Sequence, residues 1–194
     1  MLILNCAACK TEYLFPDKLG AIAAVWNDIA RVSMYRGKKE GLLYARREAY
    51  KRTLALDDVD DETLVLRGSA LAKSLLADDQ RTDALVREAH VVLRKVAPLS
   101  RRAFGPDHDT TLRCRRLYAS SLYLSDAASR DDVAKATTIL EDVARTAGRR
   151  ASFEYGPLVQ AALEEAREKL ASLQTKRRRS TRTQAALEAA VLAM

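Results

Sequence analysis

Glycine and proline are scarce, seven and four in 194 residues, too few for collagen-like, low-complexity or turn-rich β-sandwich chains. Aromatic residues make up only 6% of the chain. The apolar content is mostly Ala and Leu, which form helices well and strands poorly. Cysteine numbers three, an odd count with Cys114 remote from Cys6 and Cys9, so a reducing compartment is expected rather than a secreted disulfide framework. No run reaches the roughly 18 consecutive apolar residues that a bilayer span needs. The opening MLILNCAAC lacks a basic segment and is followed at once by Lys10, Glu12 and Asp17, which reads as neither signal peptide nor anchor. Phosphate-binding loops, dinucleotide fingerprints, nucleophile elbows and HExxH helices are all missing, so an enzyme is not expected.

Charge is abundant but uneven. Charged residues make up 30% of the chain, with 33 Lys and Arg against 26 Asp and Glu, a net +7. Lys176 to Arg182, KRRRSTR, holds five positive charges and no negative one. Arg31 to Arg52 holds eight Lys or Arg and two Glu, and DDVDDE from Asp57 to Glu62 is acidic. This alternation is unlike one continuous basic face, so nucleic acid is not the expected partner. The cytosol is the expected location. Lys176, Arg177, Arg178 and Arg179 form a candidate nuclear localisation signal or phosphate-binding patch, or else a solvated linker.

A repeat emerges when the chain is laid on itself. Thr63-Leu64 matches Thr111-Leu112 at an offset of 48, and Ala89, Leu93, Val96 and Ala97 match Ala136, Leu140, Val143 and Ala144 at an offset of 47. Each unit reads as two helices. In the later one Leu112, Tyr118, Ala119 and Leu122 form one apolar stripe, and Val133, Ala136, Leu140, Val143 and Ala147 a second. The polar link DAASRDD separates them. Helical hairpins are therefore expected at Trp26 to Leu54, with Gly37 as the stop between its helices, at Thr63 to Arg102, and at Thr111 to Arg149. A single hairpin leaves an apolar face uncovered, so the units should stack.

The segment SRRAFGPDHDTTLRCRRLYASSLYL closely resembles the kinesin light chain type of tetratricopeptide repeat, in which a linker like LGPDHPDTL precedes a helix with an LA pair. Phe104-Gly105-Pro106-Asp107-His108 and Thr111-Leu112 carry that linker. Asn27-Asp28-Ile29-Ala30 is similar to the NNLA of the first helix, and Arg47-Glu48-Ala49 to the REA of the second. The likeness covers residues 19 to 156. The linker LDDVDDETL lacks the Gly-Pro, and SFEYGPLV lacks the acidic residue and the His. The resemblance implies an all-α, right-handed superhelical array of antiparallel hairpins, about three units plus a capping helix. The expected organisation is an N-terminal segment at 1–18, the repeat domain at 19–173 with Leu158 to Leu173 as its cap, and a basic linker with a short helix at 174–194.

In arrays of that type the first helix of each unit lines the concave face and meets an extended peptide or a partner helix. The expected inward positions are Asn27, Arg31 and Tyr35; Val65 and Gly68; and Arg113, Arg116 and Ser120. Arginine and asparagine there are suited to carboxylates. The expected role is a non-enzymatic protein-protein adaptor for a protein or peptide ligand of acidic character, with no cofactor, metal or membrane partner. The alternatives are a nuclear or nucleic-acid-associated protein using the basic segments, or a piece of a larger multidomain protein. Cys6 and Cys9 supply only half of a zinc site and no second pair stands at ligand spacing, so they are expected to bind no metal. The resemblance implies that His108, with Pro106 and Asp107, shapes the turn and caps the next helix.

Overall fold

A computed structural model describes residues 3–5, 12–14, 38–77, 81–149 and 155–192. Its body is all-helical, with six helices among the described residues: α1 (Lys38–Leu54), α2 (Asp61–Leu76), α3 (Asp83–Phe104), α4 (Asp109–Tyr123), α5 (Arg130–Gly148) and α6 (Gly156–Leu192). Before them in the chain, β1 (Ile3–Asn5) and β2 (Glu12–Leu14) pair antiparallel, Ile3 opposite Leu14. Strands of three residues are too short to show a period-2 pattern, and none was expected at 1–18. The expected helix Trp26 to Arg36, the stop at Gly37 and the pair Cys6 and Cys9 lie outside the described residues.

Local chemistry sets the helix ends. Asp60 accepts from Thr63 N at 2.6 Å to start α2, and Ser129 and Asp132 form a reciprocal capping box at the start of α5. His108 Nδ1 accepts from Thr110 N at 3.2 Å and opens α4, and its ring stacks on Phe104 with centroids 5.0 Å apart. Gly105, at φ +90°, turns the chain out of α3 while its N–H donates to Arg101 O. A side chain would strain that backbone. Thr111 Oγ1 then shares its one hydroxyl hydrogen between Ser100 O and Gly105 O, at 2.9 and 2.7 Å, pinning the linker to both of the helices that it joins.

Consecutive helices pack side by side from α1 to α6, and α2 also touches α4, as α4 touches α6. Three buried clusters result among the described residues. One gathers Tyr50, Val65, Leu71, Leu75, Val86, Leu93, Val96 and Leu117; a second gathers Leu122, Tyr123, Val133, Leu140, Leu163 and Ala166; and a smaller third joins Leu112, Val143, Ala147 and Val159. The repeat is visible in the packing, because Ala89, Leu93 and Val96 of α3 and Ala136, Leu140 and Val143 of α5 are all fully buried. Each such leucine contributes about 2–5 kcal/mol against alanine.

The end of the chain differs from expectation. In place of a capping helix, a break and a short second helix, α6 runs without interruption through Lys176 to Arg179. Its residues after Pro157 include neither Gly nor Pro, and Lys and Arg are good helix formers, so clustered charge alone does not break the hydrogen-bond ladder. No helix of the described residues is long and apolar enough to cross a membrane.

Candidate functional site

The expected inward positions fall into three groups. Asn27, Arg31 and Tyr35 lie outside the described residues. Val65 and Gly68 do not reach a groove: Val65 is 0% exposed, and Gly68 is buried where α2 crosses Val96 of α3 and Tyr50 of α1. They share a helix face with Leu71, Ala72 and Leu75, all core residues, so counting from the start of α2 selects its packed side. Arg113, Arg116 and Ser120, three and four residues apart on α4, do share one face. That face looks across to the start of α6.

Here a cleft of about 210 Å3 opens between α2, α4 and α6. Leu76 closes it at the end of α2, with Arg81 from the loop beyond. Arg116, Leu117, Ser120, Tyr123 and Leu124 line it from α4; Leu158, Ala161 and Glu165 line it from α6. Arg116 is its central cation. The Nε of Arg116 is buried and has no hydrogen-bond partner among the described residues. Desolvation by burial lowers the pKa of Arg116, yet a guanidinium stays charged at any physiological pH. Close by, Tyr123 donates its hydroxyl hydrogen to Glu165 Oε2 at 2.9 Å. Burial first, and then the Glu165 charge, push the Tyr123 phenol far above its ordinary value. Arg113 Cζ stands 6.0 Å from the ring centroid of Tyr155, a cation–π distance.

Arg81, Tyr123, Leu158 and Glu165 were not among the positions read from the sequence. They are 35 residues or more from one another, apart from Leu158 and Glu165 on α6, and no spacing signal links them. Charge and shape together suit a ligand that brings an acceptor to Arg116 and an apolar group to the leucines.

Two other chemistry-bearing side chains among the described residues, Cys114 and His108, have structural surroundings. Cys114 is fully buried, and burial pushes its thiol up to about 11, so almost none is thiolate at neutral pH. His108 serves as the helix cap described above. Among the described residues no group of three His, Cys, Asp or Glu side chains is placed to hold a metal. No family model matches the chain, and no curated protein matches it.

Proposed function

We propose that the chain is a non-enzymatic adaptor, a short tetratricopeptide-like array of the kinesin light chain type that holds an acidic peptide or partner helix against its first helices. The observation that carries this reading is Arg116, whose buried Nε has no hydrogen-bond partner among the described residues, within a cleft formed by α2, α4 and α6. A buried donor left unsatisfied is costly, and a ligand carboxylate or carbonyl would satisfy it while gaining about 1.5–3 kcal/mol as a charge-assisted hydrogen bond. Ser120, 5% exposed, adds a hydroxyl beside it, and Arg113 adds a second cation one turn earlier. Direct contact of α2 with α4 and of α4 with α6 supports the superhelical arrangement, since it sets the first helices along one side. Glu165 sets polarity within the cleft: a ligand must approach with its negative end at Arg116 and its N–H or apolar part towards α6.

The test is an array of short synthetic peptides, acidic and neutral, probed with the full chain and with Arg116→Gln. Preferential capture of acidic peptides by the parent, weakened about tenfold or more in the variant, supports the reading. Equal binding by the two proteins, with a circular dichroism spectrum unchanged, overturns it.

A further inference from the structure

The outward face of α3 is cationic along its whole length. Arg87, Arg94 and Arg101 recur every seventh residue and are exposed, which places them about 10.5 Å apart in one line of about 21 Å. Between them, three or four residues from each arginine, stand Val91, 60% exposed, and Pro98, also exposed. A helix face made only for water interleaves opposite charges at those spacings. Here the same positions are apolar.

The helix has just two carboxylates, and both make their hydrogen bonds to other elements, with the Arg87 charge also acting on Asp83. Asp83 accepts from Ser125 Oγ at 3.0 Å and from Asp126 N at 2.9 Å, tying α3 to the loop after α4. Glu88 receives Arg47 of α1 through Nε at 2.7 Å and Nη2 at 2.5 Å. Arg102, off the line, is held by Asp61 of α2. Among the described residues no carboxylate stands within ion-pair distance of Arg87, Arg94 or Arg101, although the charges of Arg87 and Arg101 act at longer range on Asp83 and on Asp142 of α5. Pro98 adds one more feature, because it has no N–H to give Arg94 O its intrahelical bond.

We propose that this stripe is a second docking surface, separate from the cleft at Arg116, for a partner helix that sets a carboxylate every seventh residue and a small apolar residue between. Such a helix has the same rise as α3, so its carboxylates fall opposite Arg87, Arg94 and Arg101 in register, while its apolar residues cover Val91 and Pro98. The exposed apolar residues favour a protein over a nucleic acid, because phosphates repay cations alone and interrupt the contact at Val91 and Pro98. The two surfaces lie on different helices, so the chain would hold two partners at once.

The probe is a synthetic helical peptide of three heptads with Glu at seven-residue spacing and Ala between, compared with a peptide of the same composition in scrambled order. Fluorescence anisotropy with the full chain should show binding of the ordered peptide that weakens with salt. The triple variant Arg87→Gln, Arg94→Gln, Arg101→Gln should weaken it about tenfold, as loss of three exposed charge contacts requires. Val91→Asp, which leaves the arginines in place, should weaken it as well. Arg116→Gln should leave it unchanged, which separates this surface from the cleft. Absence of binding, equal affinity for the scrambled peptide, or retention of full affinity by the triple variant overturns the proposal. So does tighter binding of a single-stranded oligonucleotide than of the ordered peptide.

Discussion

Gly68 of α2 lies so close to α3 that a Cβ built on it would stand 2.5 Å from Val96 Cγ1, with Tyr50 Cε2 at 3.0 Å. A glycine in mid-helix ordinarily costs about 1 kcal/mol relative to alanine, but here alanine cannot enter without moving a fully buried, χ1-restricted valine. Gly68→Ala should therefore destabilise the fold by about 1–3 kcal/mol, the usual cost of overpacking. In a double-mutant cycle by urea unfolding, Val96→Ala should recover part of that loss, and simple additivity would show that the contact is not the cause.

The imidazole at the α3–α4 contact predicts a pH dependence. Ser121 Oγ donates to Tyr118 O at 2.7 Å, so His90 Nδ1, 3.1 Å from the same Oγ, carries the hydrogen and donates to it. The ring stacks on Tyr118 with centroids 5.5 Å apart. Burial, then the charges of Arg94 and Lys135, hold the His90 pKa below its ordinary value against the opposing pull of Asp132. The folded state thus binds fewer protons than the unfolded one near that pKa, so stability should fall as pH drops below about 6.5 and towards the depressed folded value. His90→Gln should flatten this loss. Urea midpoints compared at about pH 8 and about pH 5 check it, and an undiminished pH dependence in the variant would assign the effect to other groups.

Cys114 should be inert in the folded protein. Its thiol is fully buried and pushed up to about 11, and the thiolate is the reactive form. Peptide-resolved mass spectrometry after native alkylation should find residue 114 unmodified, whereas alkylation in denaturant should modify it fully. Rapid native labelling would mean that the α3–α4 interface opens on the labelling timescale.

The buried residues described on α6, Val159, Ala162, Leu163 and Ala166, all precede residue 174, as do the partly buried Leu170 and Leu173. Truncation after residue 173 should remove helical circular dichroism signal yet change stability by no more than about 0.5 kcal/mol. Leu163→Ala should instead cost about 2–5 kcal/mol. A truncation cost as large as that of Leu163→Ala would place the second half of α6 in the core.

The end of α1 at Leu54 could be read from the sequence, because the acidic run after it is local punctuation. The two later hairpins were legible for the same kind of reason. Their apolar stripes repeat at an offset of 47 and His108 stands as a cap before α4, while the structure adds Asp60 and Ser129 as caps and Gly105 as the turn out of α3. These are short-range properties, and backbone sterics and capping decide them within one turn. The side of each first helix that meets the core is different. Val65 and Gly68 on α2 and Arg113 and Arg116 on α4 are all three residues apart. Only packing against Tyr50 and Val96 sends the first pair inward, while the second pair faces the start of α6. A helix flanked on several sides has more than one small or apolar face, so periodicity cannot rank them. Continuity of α6 through Lys176 to Arg179 was likewise hidden, since a charge run has the composition of a linker and the propensity of a helix. The cleft itself, with Arg81, Arg116, Tyr123 and Glu165 drawn from a loop and two helices, exists only because the packing of α2, α4 and α6 brings distant positions together, Tyr123 and Glu165 within a hydrogen bond. No local rule in a chain encodes that distance; the register of helix on helix does.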